Sequence, residues 1–344
     1  MLTLHKTSVE IKTILKWITI AISSLIVLLL IVRIGTNLKE YFFPTPPPPP
    51  TVSFGKLTKI NFPTNPNTNS FTYTLNNLTG KLPNFPDRVK VYKIIPPEST
   101  LLSLKRAQEK LIKIGFYQEG KPLSDITYEW KTDSKKIILD ISSLNFNYSS
   151  DFFSDKDVLS GNNLPDENTS IKKGLSFLSA ISFPNDIDSA KTKVTLLSIN
   201  GSKIIPASSL STAKIIRVDF FQKNIDNFPI FYPNPEQSTM YAMSAGGKYE
   251  GQIITASFFH QNISDESGTY PIKTSQTAFE ELKNGQGFIA SYFGEEKEIL
   301  IKDIYLGYYL AGEKQDYLMP IIIFEGSKGF FAYVSAVSEN WVQN

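Results

Sequence analysis

The sequence contains no cysteine and only two histidines among 344 residues. The first absence excludes disulfides, thiolate metal sites, iron–sulfur clusters and every cysteine nucleophile. It also excludes a lipoprotein anchor, which needs an acylated cysteine. A zinc site with no cysteine and a single available histidine would have to rely on carboxylates, which suits zinc poorly. Charge of one sign is lacking too. The formal net charge is +2, so no bulk basic field argues for nucleic acid as a partner.

What is present is enough for a substantial core. Apolar residues make up 41% of the chain and aromatics 12%; Phe and Tyr supply much buried area per side chain. Lys6, Lys12, Lys16, Arg33 and Lys39 outnumber Glu10 and Glu40 within residues 1–50. The small basic excess therefore sits at the start of the chain, beside its greasiest segment.

That segment, KWITIAISSLIVLLLIVRIG, holds an uncharged run from Ile18 to Val32. With its apolar neighbours it extends over residues 14–34. Twenty-one helical residues at 1.5 Å each reach about 31 Å, enough for the hydrocarbon core of a bilayer. Lys16 and Arg33 near its ends can snorkel into headgroups, and Trp17, Tyr41 and Phe42 suit the interfaces. No small-x-small cleavage site follows Val32, so an uncleaved anchor is expected rather than a signal peptide. The lysines before the span place residues 1–13 on the cytoplasmic side. The bulk of the chain is then extracytoplasmic, and its expected first partner is membrane lipid, through residues 14–34.

Six prolines in seven positions, Pro44 to Pro50, follow the span within YFFPTPPPPPTVSFG. A polyproline II segment of that length is a semi-rigid spacer of roughly 20 Å. Residues 35–52 therefore read as a linker.

Beyond it the pattern is α+β, with curled antiparallel sheets each packed by a helix in repeated helix-then-strands units. The first expected helix is STLLSLKRAQEKLIKIG, capped by Ser99 or Thr100, with Leu101, Leu104, Ala107, Leu111 and Ile114 as its apolar stripe. The second is NTSIKKGLSFLSAIS, begun by Thr169 or Ser170, with Ile171, Leu175, Leu178 and Ile181 facing inward. The third is TSQTAFEELKNG, begun by Thr274 or Ser275, with Ala278, Phe279 and Leu282 buried. Strands are expected near 126–131, 136–142, 192–199, 202–206, 213–222, 298–310, 316–324 and 329–336. Asn200-Gly201 signals a two-residue hairpin. The proline-bearing FYPNPEQ suggests a junction between two lobes, residues 53–235 and 236–344.

The last unit carries the most recognisable text. AFEELKNGQGF, IKDIYLGYYL and DYLMPIIIFEGSKGFFAYVSAV resemble the C-terminal part of bacterial YycH/YycI-type proteins and their PepSY-like relatives. The resemblance covers Pro271 to Asn344 and rests on core and turn residues. Ser335 stands where that family often has proline. The resemblance implies a single-span, membrane-anchored extracytoplasmic protein that contacts a membrane sensor kinase or restrains another envelope protein.

No catalytic constellation emerges. His5 lies on the expected cytoplasmic tail and cannot meet an outer site. His260, in SFFHQNIS, would have to serve alone, and no G-x-S-x-G elbow supports a triad; a strand-end or surface position is expected for it. The acidic loop with Asp151, Asp155, Asp157, Asp166 and Glu167 could hold calcium, but its spacing is not that of an EF-hand. Glu280-Glu281 and Glu295, Glu296 and Glu298 read as solvated charge. SAGGKYEG lacks the order of a P-loop and reads as a tight turn. Tyr305, Tyr308 and Tyr309 alternate across a strand, as core or as a contact face for a peptide or glycan. No catalytic, cofactor or metal residue is therefore assigned. The expected function is non-catalytic binding or regulation of an envelope protein; the alternatives are a cell-wall-binding structural module and a carboxylate-based envelope hydrolase.

Overall fold

The computed structural model describes residues 3–42, 48–64, 71–182, 184–247 and 250–343. It divides into two units, residues 1–49 and 50–344.

The first unit is one helix, α1 (Thr3–Phe42). Its stretch Leu15–Ile34 is long and apolar enough to cross a membrane, and none of that stretch is buried. Thr19 and Ser24 return their hydroxyls to carbonyls of the preceding turn at 2.9 Å, which is how hydroxyls are satisfied away from water. The helix runs eight residues beyond Ile34, so the first part of the expected linker is helical. Residues 43–47 of the proline run lie outside the described residues; Pro48–Pro50 has no regular secondary structure.

The second unit is α+β, as expected. It opens with β1 (Thr72–Leu75) and β2 (Arg88–Ile95), then α2 (Ser103–Ile112). Next come β3 (Lys121–Pro122), β4 (Thr127–Lys131), β5 (Lys135–Asp140) and β6 (Phe146–Ser150). The short α3 (Lys156–Ser160) and the longer α4 (Glu167–Ile181) precede β7 (Ile187–Asn200), β8 (Lys203–Pro206) and β9 (Ile215–Gln222). After β10 (Ile230–Phe231) the chain forms β11 (Met240–Ala245), β12 (Gln252–Phe258) and β13 (Asn262–Pro271). It closes with α5 (Ser275–Lys283), β14 (Phe288–Ser291), β15 (Glu298–Tyr309), β16 (Tyr317–Gly326) and β17 (Phe331–Ser335).

Among the described residues these strands make two large sheets. The first follows the order β1-β15-β16-β17-β14, with β10 also on β15 and β2 bridging β16 to β13. The second is antiparallel, β3-β4-β5-β6-β12-β11-β9-β7-β8. The chain changes sheet after β2, on either side of β10, and after β12. The chain leaves β10 for the second sheet near the expected junction at 235–236, but β1, β2 and β10 join the first sheet and β11 and β12 the second, so the expected lobes 53–235 and 236–344 do not each hold one sheet. A single apolar cluster contains residues of both sheets, with Tyr92, Tyr308 and Phe324 from the first and Trp130, Phe146 and Phe220 from the second.

The helices pack for local reasons. Helix α4 buries Ser170, Gly174, Leu178 and Ile181. At Gly174 a Cβ would stand 3.1 Å from that of Ala242 and 3.3 Å from the Phe220 ring, so glycine lets the helix lie close on the sheet. The apolar stripe is rotated from the one expected, and Ile171 and Leu175 are only half-buried. The N-cap is Asp166, which accepts from Thr169 N–H at 2.6 Å, rather than Thr169 or Ser170. Helix α5 starts as expected at Thr274, which accepts from Thr277 N–H at 3.1 Å, and buries Ala278, Phe279 and Leu282. Helix α2 starts later than expected. The Ser103 hydroxyl accepts from Thr100 N–H at 2.9 Å, closing a turn that leaves Leu101 fully exposed and outside the helix. Leu104 is also exposed; Ala107 and Leu111 carry the contact.

Candidate functional site

A cavity of about 420 Å³ opens where elements of both sheets meet. Its walls come from the end of β2 (Lys93–Pro97), the β5–β6 turn, the segment after α4, the β12–β13 corner and the β15–β16 hairpin. These five pieces are far apart in sequence. A polar network joins them, and its residues explain why the chain turns where it does.

The β12–β13 corner is fixed first. Asn145 Nδ2 donates to the His260 carbonyl and its Oδ1 accepts the His260 N–H, both at 3.0 Å. The side chain thus replaces a missing strand partner at the corner. Gln261 bonds the tip of the β15–β16 hairpin twice: its Nε2 donates to Glu313 O at 3.2 Å and its Oε1 accepts from Gln315 N at 3.0 Å. Gln315 folds back into its own hairpin. It accepts from Ala311 N at 2.8 Å and donates to the carbonyls of Tyr309 and Tyr317 at 3.1 and 2.8 Å. Ile94 N–H donates to Asp316 O at 2.8 Å, so β2 and the hairpin share one wall.

His260 lies at a strand end, one of the two positions expected, but it is buried rather than at the surface, with its side chain 5% exposed. Nε2 donates to both carboxylate oxygens of Asp186, at 2.8 and 3.0 Å. A carboxylate only accepts, so this nitrogen carries the hydrogen. Gln222 Nε2 also donates to Asp186, at 2.7 Å. Burial opposes ionisation of Asp186, but the bonds from His260 and Gln222 outweigh it and hold the carboxyl below its usual range. Gln222 Oε1 is buried with no partner, a costly acceptor to leave unmade.

A second carboxylate, Asp140, sits behind the β5–β6 turn. Burial again opposes its charge. The Ser142 hydroxyl and the amides of Ser142 and Ser143, with Lys314 at 3.3 Å, outweigh burial and lower its pKa. Lys314 is therefore tethered at the mouth, as is Lys93, which pairs loosely with Glu266 at 3.7 Å. Apolar walls come from Ile94, Ile95 and Phe259, and three prolines, Pro96, Pro97 and Pro184, contribute surface without amide hydrogens.

Among the described residues the hydrogen-bond partner of the His260 ring is Asp186. A nucleophile–base pair, which acyl transfer would require, is not formed. The carboxylates are held low by their donors, opposite to what a general acid needs.

Most of the other residues singled out in the sequence lie in the core, cap helices or form ion pairs. Tyr308 is core, with its hydroxyl on the Lys90 carbonyl at 3.1 Å. Tyr309 is buried on the opposite face, and Tyr305, half-buried, bonds Glu325 at 3.1 Å. In the acidic loop, Asp155 caps α3 and Asp166 caps α4, so two of its five carboxylates serve helix N-termini. Gly246 of SAGGKYEG packs against the backbone of Asn162 and Asn163; Lys248 and Tyr249 lie outside the described residues. Glu296 pairs with Lys328, and Glu281 with Lys273 at 2.8 Å. The sequence did not disclose Asp186, Gln222, Gln261 or Gln315 as a set. Asp186 and His260 are 74 residues apart, and no local spacing marks such a pair.

No family model matches the chain, so the YycH/YycI resemblance of residues 271–344 gains no family-level support. No curated protein matches it either. Among solved structures, it is similar to an uncharacterised protein from Eubacterium rectale. That match has 12% identity and a TM-score of 0.37, and covers 77% of this chain and 89% of the other. It is also similar to the YpeB C-terminal domain of Bacillus megaterium, with 9% identity and a TM-score of 0.28, over 73% of this chain and all of that one. Superpositions this loose carry no functional argument.

Proposed function

We propose that the chain is a single-pass membrane protein whose α+β unit lies outside the cytoplasm and acts, without catalysis of its own, by binding another envelope protein. The observation that carries this reading is the bare apolar stretch Leu15–Ile34 on a unit separate from the one that holds the core. A helix apolar all round is stable when lipid or protein covers it, and nothing in its own chain does so among the described residues. The excess of lysine before the span favours an inside N-terminus. The cleft supports binding over turnover, because its titratable groups are tied to each other and its walls are apolar and proline-rich.

Two measurements test the reading. Protease added to spheroplasts should degrade residues 50–344 while mass spectrometry of the untreated protein still finds residues 1–34. A photo-crosslinking residue at Lys93 or Lys314 should then trap one reproducible envelope protein in intact cells. Protection from external protease would overturn the topology; no reproducible adduct from either position would overturn the binding role of the cleft.

A further inference from the structure

The outer face of the first sheet, away from α5, is unusually aromatic. Tyr305, Gly307 and Tyr309 of β15 share that face with Tyr333 of β17. Gly307 has no side chain, and the Phe231 ring takes the space, 3.1 Å from where a Cβ would be. The rings of Phe231 and Tyr333 come to 5.6 Å, and those of Tyr309 and Tyr333 to 6.1 Å.

Two features of this face have no packing explanation. First, the hydroxyls of Tyr309 and Tyr333 are buried without hydrogen-bond partners. A buried phenol with nothing to donate to is worse than phenylalanine, and the same face uses phenylalanine at 231, 288 and 331. Second, part of the cover is irregular chain, although Tyr309 and Tyr333 are buried beneath it. Residues 58–64 cross the face with no regular secondary structure. Ile60 and Phe62 are their apolar contacts, and Asn61 bonds Glu313 at the surface. The Phe62 ring lies 4.9 Å from Tyr309 and 5.5 Å from Phe288. Cavities of about 350, 450 and 360 Å³ flank this strap, and Tyr309 and Phe62 both line the last.

We propose that this aromatic face is a carbohydrate-binding site, and that the chain's own Phe62 occupies it in the state described. A pyranose ring matches both features. Its axial C–H face packs on aromatic rings as Phe62 does, and its ring and hydroxyl oxygens accept from Tyr309 and Tyr333. A quaternary ammonium group would also fit an aromatic cage, but it has no acceptor and would leave both hydroxyls unpaired. Glu313, at the rim, is a polar group of the kind that orients a sugar. Displacing Phe62 taxes the affinity of the native chain, because only the open fraction is competent.

The test is calorimetric titration of the purified full-length protein in detergent micelles with the β-1,4 tetramer of N-acetylglucosamine. It is independent of membrane sidedness and of any protein partner. Phe62→Ala should bind about tenfold more tightly than the native chain. Adding Tyr309→Phe and Tyr333→Phe to that variant should cost about tenfold again. Asn61→Ala, which loosens the strap and leaves every ring in place, should also bind more tightly than the native chain. If Phe62→Ala fails to fold, this variant decides alone. The inference is overturned if neither strap variant gains affinity, if the tyrosine substitutions leave affinity unchanged, or if choline binds in place of the sugar.

Discussion

Asp186 holds the Nε2–H of His260 with both carboxylate oxygens, at 2.8 and 3.0 Å. The contact ties the start of β7 to the β12–β13 corner and so fixes one side of the cleft. It also makes stability depend on acid. The Asp186 carboxyl is held below its usual range in the folded chain. A depressed carboxylate contributes stability that is present above its unfolded pKa and lost as pH falls through the folded value. The loss therefore begins near pH 4 and continues downward. Urea midpoints measured between pH 3 and 7 should fall below pH 4, and less steeply in Asp186→Asn. At pH 7 that variant should be less stable by about 1 kcal/mol, a modest figure because the side chain is 39% exposed and partly screened.

The approach of α4 to the second sheet gives another expectation. Gly174→Val would push side-chain atoms toward Ala242 and Phe220, already 3.1 and 3.3 Å from a bare Cβ. Helix propensity favours replacing glycine by about 0.5 kcal/mol, whereas overpacking costs about 1–3 kcal/mol. The clash should win, and the urea midpoint should drop.

Local signals in the sequence were sufficient where the structure is local. Thr274 caps α5 because its hydroxyl reaches an amide three residues on, and the β15–β16 hairpin follows from two apolar runs around a polar turn. The Asn200-Gly201 signal placed a hairpin correctly but one residue early. Asn200 pairs with Lys203, and Gly201-Ser202 make the turn, with Gly201 at φ +59°. The stripe expected on α2 failed at Leu101, because Ser103 draws the preceding residues into a turn. The cleft was not legible. Its residues come from five segments, and amides such as Asn145, Gln261 and Gln315 look like ordinary polar loop residues until the sheets bring them together. The antiparallel pairing of β2 with β13 joins segments more than 160 residues apart, which no periodicity encodes.

Gly307 bears on the aromatic face of the first sheet. An alanine there would place its Cβ 2.8 Å from Ile323 Cδ1, 2.9 Å from the Pro229 carbonyl oxygen and 3.1 Å from Phe231. The isoleucine can turn aside, but the carbonyl is backbone next to β10, whose Ile230 and Phe231 pair with Tyr308 and Tyr309. Gly307→Ala should therefore weaken the β10–β15 pairing and cost about 1–3 kcal/mol. Hydrogen exchange should show the loss of protection first at the amides of Tyr308 and Leu310, which donate to Pro229 and Phe231 at 2.9 Å.

Neighbouring tyrosines of β15 should respond in opposite ways to the loss of a hydroxyl. Tyr308 donates to the Lys90 carbonyl at 3.1 Å, so Tyr308→Phe strands a backbone acceptor and should cost about 1 kcal/mol. Tyr309 has no partner for its hydroxyl, so Tyr309→Phe removes a desolvated donor and should stabilise the chain, by about 1 kcal/mol. Tyr333→Phe should do the same for the same reason. Thermal melts of the full-length protein in detergent check all three, with Tyr308→Phe as the internal control for loss of aromatic polarity. If Tyr309→Phe and Tyr333→Phe also lower the melting temperature, their hydroxyls have partners in solution. The stability left unclaimed at these two positions would then not exist, and binding would have no part in explaining them.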